Sequence, residues 1–418
     1  MKRGSWILIA LLALICFLPL TARTGEQDAS PAIQVQVSDH FDGEKYFNPA
    51  GSAAPTPADE TQRRSRFWWL WRWMFGNNSW PDLTDAAVYS PGPPPAPRVP
   101  LGTLRVTPVG HATFLVQMDG LNILTDPIWS ERCSPVSWAG PRRYREPGIR
   151  FEDLPPIDAV LISHNHYDHL DLPTLGRLAQ RGTPRALAPL GNGELIREAG
   201  IPSVTELDWW ESVPLSPEVT VTLVPAQHFS ARTLWDRNRA LWGGFVVSGP
   251  SGNLYHAGDT GYGPHFRQIA HRFSPIRVAL LPISPFRPLR EAQDFTAANF
   301  STVHMGPAEA VQAHLDLEAQ ASIAGHYQVF HLGTDGFDDA VNELASTLKE
   351  RALPAEAFIV PTLGRAVDVD TGTVAEIDSR AGLKLSAASR GESSILRERT
   401  VRNSLAHPVA SKKLSLVR

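Results

Sequence analysis

The chain has 418 residues, enough for one large α/β domain with appendages or for two ordinary domains, so length alone does not choose between them. With 43% hydrophobic and 20% charged residues it is neither disordered nor a coiled coil, and a net charge of -4 excludes a general nucleic-acid binder, which would carry a strong basic excess. Only Cys16 and Cys133 occur, which rules out a disulfide framework and a cysteine-rich metal site, so any metal must be held by histidine and carboxylate.

The chain opens with Lys2 and Arg3 followed by an apolar run from Trp6 to Leu20, the order of charge and apolarity found in a secretory signal. The run is short for a membrane span, and Leu20-Thr21-Ala22 departs from a small-x-small cleavage site. Residues 1–22 therefore read as a cleaved signal or an uncleaved anchor. The protein is expected to be membrane-associated, exported or anchored facing the periplasm; a cytoplasmic location is the alternative if the run is a buried helix. Ile15, where a lipoprotein needs a small residue, argues against lipidation at Cys16. Residues 23–100 form a polar, proline-rich region ending in the extended connector Pro91-Gly92-Pro93-Pro94-Pro95-Ala96-Pro97. Within it, residues 63–75 run from Arg63, Arg64 and Arg66 into Phe67, Trp68, Trp69, Trp71, Trp73 and Phe75. Trp rings favour the lipid headgroup region and Arg attracts anionic lipid, so this island reads as an interfacial anchor or else as a packed aromatic brace.

From Leu101 the texture changes to short apolar strands with turn punctuation. Strands are expected at Thr103–Val106, then at Thr113–Gln117 and Leu121–Thr125, the last two joined through the hairpin turn Asp119-Gly120. Further strands are expected at Ala159–Ser163, Val219–Val224, Phe245–Val247, Leu254–His256, Val278–Pro282 and Phe358–Val360, with helices over Leu172–Gln180, Pro307–Leu315 and Phe337–Arg351. The result is a mixed α/β domain over residues 101–365. Residues 379–418 carry many more Arg and Lys than acids and no clear period, which reads as a basic, disordered tail. No internal repeat is visible.

The chemistry concentrates in Ala159-Val-Leu-Ile-Ser-His164-Asn-His166-Tyr-Asp168-His169, an apolar strand running into a polar loop and then a helix whose first turn holds Pro173. Residues two apart in extended chain face the same way, so His164 and His166 can share one metal while Asp168 and His169 turn toward a second. Four such side chains within six residues are costly to bury unless a cation satisfies them. His228, Asp259 and His326 follow later apolar strands, where α/β folds gather their functional side chains. Each alone would read as a hydrogen-bonded histidine or a turn-forming aspartate; beside the first motif they complete a ligand set.

These segments resemble the metallo-β-lactamase superfamily, and within it the branch of N-acylphosphatidylethanolamine-hydrolysing phospholipase D. The narrower likeness is carried by Leu124-Thr-Asp126-Pro127-Ile-Trp, Ser134-Pro135, Gly140-Pro141-Arg142-Arg143-Tyr144 and the unbroken stretch from Leu154 to Asp171. It covers Leu101 to Gly364. His40-Phe-Asp-Gly-Glu-Lys-Tyr-Phe-Asn48 further resembles a segment of bacterial relatives. The resemblance implies an αβ/βα four-layer sandwich holding two zinc ions, with iron or manganese also compatible with the ligand types. His164, His166 and His228 would hold the first ion, Asp168, His169 and His326 the second, and Asp259 would bridge them and take part in catalysis. Asp126 would orient a ligating histidine from behind, or else simply cap the turn after its strand. His111 and His304 match positions near the metals and would bind substrate oxygen or relay a proton, or else serve as structural histidines.

The chain departs from the family at His326-Tyr-Gln-Val-Phe330, where relatives often read His-Trp-Gly-Thr-Phe, and around Phe286 to Phe300. The ligand survives these changes but the pocket wall differs. The implied function is hydrolysis of a phosphodiester, plausibly in a glycerophospholipid of the N-acylphosphatidylethanolamine type. The alternatives are a lactonase, β-lactam or other acyl hydrolase on the same fold, and a non-catalytic cell-envelope binding protein. The implied partners are a phospholipid or other small ester or phosphodiester, a membrane surface and no nucleic acid, with a homodimer left open.

Overall fold

A computed structural model describes residues 38–49, 74–76, 80, 91–287 and 300–370, and the backbone of two further strands at 373–378 and 383–386. The expected signal or anchor, most of the aromatic island and most of the basic tail lie outside the described residues. Among the described residues no helix is long and apolar enough to cross a membrane.

The first half of the domain builds one sheet from β1 (Leu104–Gly110), β2 (Thr113–Met118), β3 (Leu121–Thr125), β4 (Ala159–Leu161), β5 (Arg185–Pro189) and β6 (Val204–Leu207). The second half builds another from β7 (Ser212–Pro214), β8 (Thr220–Val224), β9 (Gly244–Gly249), β10 (Gly252–His256), β11 (Ile276–Pro282), β12 (Ala321–Gly325) and β13 (Phe358–Ile359). The first sheet is completed by β14 (Val367–Asp370), β15 (Thr373–Asp378) and β16 (Leu383–Ser386), giving the order β16-β15-β14-β1-β2-β3-β4-β5-β6. The second runs β13-β12-β11-β10-β9-β8-β7. Pairing is parallel from β3 to β6 and from β10 to β13, and antiparallel elsewhere.

The helices sit outside. α1 (Leu172–Arg181) and α2 (Gly193–Glu198) cover the outer face of the first sheet, where Leu175, Leu178 and Ile196 pack on Leu115, Leu124, Val160 and Ala186. α3 (His265–Phe273), α4 (Pro307–Asp316) and α5 (Asp339–Glu350) cover the second, through Phe266, Ile269, Val311 and Leu344 against Val246, Tyr255, Ala279 and Leu281. Between the sheets Val106, Phe114, Val116, Ile123 and Leu161 meet Val221, Leu223, Phe245, Val247 and Leu280. Alternate residues of one strand thus serve the inner and outer cores, and four layers result, as the resemblance implied. The Asp119-Gly120 hairpin has φ of 51° and 85°, the left-handed pair a two-residue turn between twisted strands requires.

The last three strands extend the first sheet past the expected domain end at residue 365, and β16 falls within the stretch 379–418 expected as a disordered tail. β14 closes the exposed edge of β1, with Arg105 opposite Asp368 and a 2.6 Å ion pair between them. Val367 and Val369 alternate with Asp368 and Asp370 and point into the inner core, a period-two signal too short to stand out. Leu383–Ser386, inside the stretch read as disordered, pairs antiparallel with β15. Upstream, residues 38–49 lie against the domain, and Met74, at the end of the aromatic island, is buried with its carbonyl accepting from Gly140 N.

Candidate metal centre

The side chains singled out in the sequence converge at one edge of the sandwich, where strands end. Asp126 follows β3, His164 to His169 follow β4, His228 follows β8, Asp259 follows β10 and His326 follows β12. His164, His169, His228, Asp259 and His326 are all buried. The backbone is bent to deliver them: His111, Asp126 and His326 have positive φ (56°, 35° and 59°), which costs non-glycine residues about 1–3 kcal/mol each and persists only where the surroundings enforce it. Gly258 sits at φ 60°, and a Cβ there would come within 2.4 Å of Ser163 Cβ, so only glycine lets the Asp259 loop close against the β4 loop.

Two groups of donor atoms form. In the first, His164 Nε2 lies 2.8 Å and His228 Nε2 3.2 Å from His166 Nδ1. In the second, Asp168 Oδ2 lies 3.4 Å from His169 Nε2 and 3.3 Å from His326 Nε2. Asp259 stands between them, with Oδ1 3.4 Å from His169 Nε2 and 3.0 Å from His326 Nε2, and Oδ2 3.8 Å from His228 Nε2 and 3.7 Å from His304 Nδ1. Each of its oxygens thus faces a different set of imidazoles.

The outward nitrogens are committed elsewhere, which fixes the tautomers. His228 Nδ1 donates to Val303 O (2.8 Å) and His326 Nδ1 to Ser284 O (2.7 Å). His169 Nδ1 donates to Asp126 Oδ2 (2.9 Å), and Ser163 Oγ spends its proton on the same oxygen (2.8 Å), so it must accept from His164 Nδ1 (2.9 Å). In their neutral forms His164, His169, His228 and His326 then all present an Nε2 lone pair inward. His166 Nδ1 can give a proton to only one of the two lone pairs facing it. Among the described residues, His169 Nε2 and Asp259 Oδ1 are buried with no hydrogen-bond partner at all. Buried carboxylates and imidazole lone pairs that converge in this way need a shared positive charge among them, a proton or a cation, and the N and O set fits zinc or a similar divalent ion. The cluster is a candidate metal-binding site.

Burial pushes His166 and His228 down to about 3, so both are neutral and able to ligate near pH 7. Burial acts the same way on His169 and His326, but the carboxylates led by Asp259 outweigh it and raise both, His326 to about 9, so near pH 7 each holds on Nε2 a proton whose place a cation would take. Burial would lift Asp168 and Asp259, yet their histidine neighbours hold both well below the usual carboxylate range.

Every side chain proposed from sequence thus falls within one cluster, but His111 and His304 differ from each other. His304 is 15% exposed at the side chain and faces Asp259 from the open side. His111 is buried, and its Nε2 donates to Asp168 Oδ2 at 2.9 Å, so it is engaged with a cluster carboxylate rather than aimed at a substrate. Three participants escaped sequence reading. Ser163 and His256 both donate to Asp126 Oδ2, the latter at 2.9 Å, and the carbonyl of Ser284 holds His326. His256, two residues before Gly258 in His256-Ala-Gly-Asp259, offered a signal that could have been followed. Most of the Phe286 to Phe300 segment lies outside the described residues.

The family model described as a β-lactamase superfamily domain matches residues 121–327, which contain all seven ligand candidates and Asp126. An uncharacterized protein of Mycobacterium tuberculosis is 39% identical over 270 residues, 63% of this chain and 68% of that one. N-acyl-phosphatidylethanolamine-hydrolyzing phospholipase D 1 of Caenorhabditis elegans is 37% identical over 275 residues, 62% of this chain and 74% of that one. The crystal structure of an isothiocyanate hydrolase from Delia radicum gut bacteria superposes with a TM-score of 0.50 at 20% identity, over 63% of this chain and 98% of that one, a likeness of fold alone.

Proposed function

We propose that this chain, a metal-dependent hydrolase that belongs to the metallo-β-lactamase superfamily, uses two zinc ions to cleave a phosphodiester of the N-acylphosphatidylethanolamine type. The observation that carries the dinuclear reading is Asp259, whose two oxygens face two separate histidine sets. His164, His166 and His228 would hold one ion and Asp168, His169 and His326 the other, with Asp259 shared. Once bound, such a pair supplies Lewis acidity toward the phosphoryl oxygens and lowers the pKa of water at the site.

The chain's own residues have separable parts in this reading. Asp126 accepts from His169, His256 and Ser163, and through Ser163 holds His164 as well, so one buried carboxylate orients a histidine of each set. His111 orients Asp168. His304, neutral because burial pushes it down to about 3, would donate an N–H to a phosphoryl oxygen from the open side. Support for the phospholipid comes from the Caenorhabditis elegans relative, and the basic-aromatic segment at residues 63–75 is proposed to hold the protein at a membrane surface on the exported side.

The test is direct. Detergent-solubilised protein is analysed for metal and incubated with a panel of phospholipids, lactones and β-lactams, with products identified by mass. The proposal expects phosphatidate and an N-acylethanolamine; turnover of lactones or β-lactams with intact phospholipid would favour acyl hydrolysis, and metal binding with no turnover would favour a binding protein.

A further inference from the structure

The segment from His40 to Asn48, which the catalytic reading leaves without a role, crosses the domain beside the first histidine set. Asn48 Nδ2 donates to His228 O at 2.9 Å, and Asn48 Oδ1 accepts from Trp242 Nε1 at 3.2 Å. Neither assignment can be reversed, since an indole N–H only donates and a carbonyl only accepts. His228 is therefore gripped at two points, by Val303 O on its ring and by Asn48 on its peptide.

The rest of the segment is tied down on the same stretch of chain that carries His228. Tyr46 N donates to Asn238 O at 2.8 Å, and Glu44 pairs with Arg239 at 2.8 Å. His40 stacks on Trp209 with ring centroids 3.8 Å apart and places Nε2 3.0 Å from Asp208 Oδ1. The anchors therefore span both flanks of the His228 loop, and Asn48 is the point at which the segment reaches the metal centre.

We propose that residues 38–49 act as a strap that positions His228, with Asn48 as the positioning residue that tunes the affinity of the His164, His166 and His228 site. This rests on the reading of His228 as a ligand, and His228→Ala serves as its separate check. Partners that orient a metal ligand from behind typically govern affinity by about 10- to 100-fold. The effect should be confined to one ion, because no bond of Asn48 reaches the Asp168, His169 and His326 set.

The experiment uses the full chain loaded with zinc and competed with a chelator to resolve the two equivalents. Asn48→Asp keeps the acceptor for Trp242 but turns an oxygen toward His228 O. It should weaken one zinc equivalent by about 10- to 100-fold and leave the other at its wild-type affinity. A purely structural brace would lower the melting temperature and shift both equivalents or neither, and either result overturns the proposal. If Asn48→Asp does not fold, Asn48→Ala, which leaves a gap rather than a repelling oxygen, is read by the same criterion. If His228→Ala binds both zinc ions normally, the ligand reading fails and this inference falls with it. If His228→Ala loses one ion while both Asn48 variants bind zinc as wild type does, the strap inference alone is wrong.

Discussion

Replacing Asp126 with Asn keeps the shape of a fully buried side chain and changes only its hydrogen-bonding. The carboxylate accepts four bonds: Ser163 N at 2.7 Å on Oδ1, and Ser163 Oγ at 2.8 Å, His169 Nδ1 at 2.9 Å and His256 Nε2 at 2.9 Å on Oδ2. An amide cannot accept all four. Its better orientation leaves the carbonyl toward the three side-chain donors and sets its NH2 against Ser163 N–H, stranding a buried donor at a cost of about 1–3 kcal/mol. The two imidazole bonds also lose their charge assistance, which roughly halves each. A loss of about 3 kcal/mol in unfolding free energy is expected by denaturant titration, with zinc affinity reduced by about 10- to 100-fold in chelator competition. Burial would raise Asp126, but His169 and His256 hold it below its ordinary value. A depressed carboxylate contributes stability above its unfolded pKa of about 3.9 and loses it as pH falls through the folded value. The deficit of Asp126→Asn should therefore be constant between about pH 6 and 8 and shrink only in acid below the ordinary carboxylate range. Unchanged zinc affinity with full stability would refute the account of Asp126 as the residue that orients His169 and His164.

Asp259→Ala should remove most bound metal, measured by elemental analysis, and nearly all hydrolysis, because both histidine sets lose their shared carboxylate; wild-type turnover with two metals per chain would sink the dinuclear assignment. His304→Ala should retain metal while kcat falls by about 10²- to 10³-fold, the usual loss for one oxyanion donor; loss of metal instead would make it a ligand. Changing Trp68, Trp69, Trp71 and Trp73 together to Ser in a chain lacking residues 1–22 should leave metal content and turnover of a soluble phosphodiester unchanged, while vesicle binding and turnover of bilayer phospholipid fall together. Insolubility or metal loss in that variant would identify the segment as a packed brace.

Much of the site was legible because metal ligation demands particular side chains at close spacing, and His164, His166, Asp168 and His169 crowd into one loop. The later ligand candidates were legible because each follows an apolar strand, a pattern that survives without knowledge of tertiary contacts. Ser163 and His256 were not legible as partners of Asp126, since their meeting depends on how β4 and β10 approach across the two sheets. Asn48 lies 180 residues from the carbonyl it holds, a distance in sequence over which no local pattern operates. The missed strands failed for a related reason: β14 has only four residues, and its stability comes from the edge of β1 rather than from its own propensity. His111 falls beside the candidate ligand Asp168, but the direction of its ring depends on a left-handed turn at φ 56° that sequence does not announce.

The central claim is that water attacks phosphorus in a phosphodiester bound at this centre. N-acylphosphatidylethanolamine incubated with the zinc-loaded protein in ¹⁸O-labelled water reports it, with both products weighed by mass spectrometry. Attack at phosphorus forms a new P–O bond and expels the N-acylethanolamine with its own oxygen, so the account predicts one ¹⁸O in the phosphatidate and none in the N-acylethanolamine. Label in the N-acylethanolamine, or in a released fatty acid with the phosphodiester intact, would contradict it.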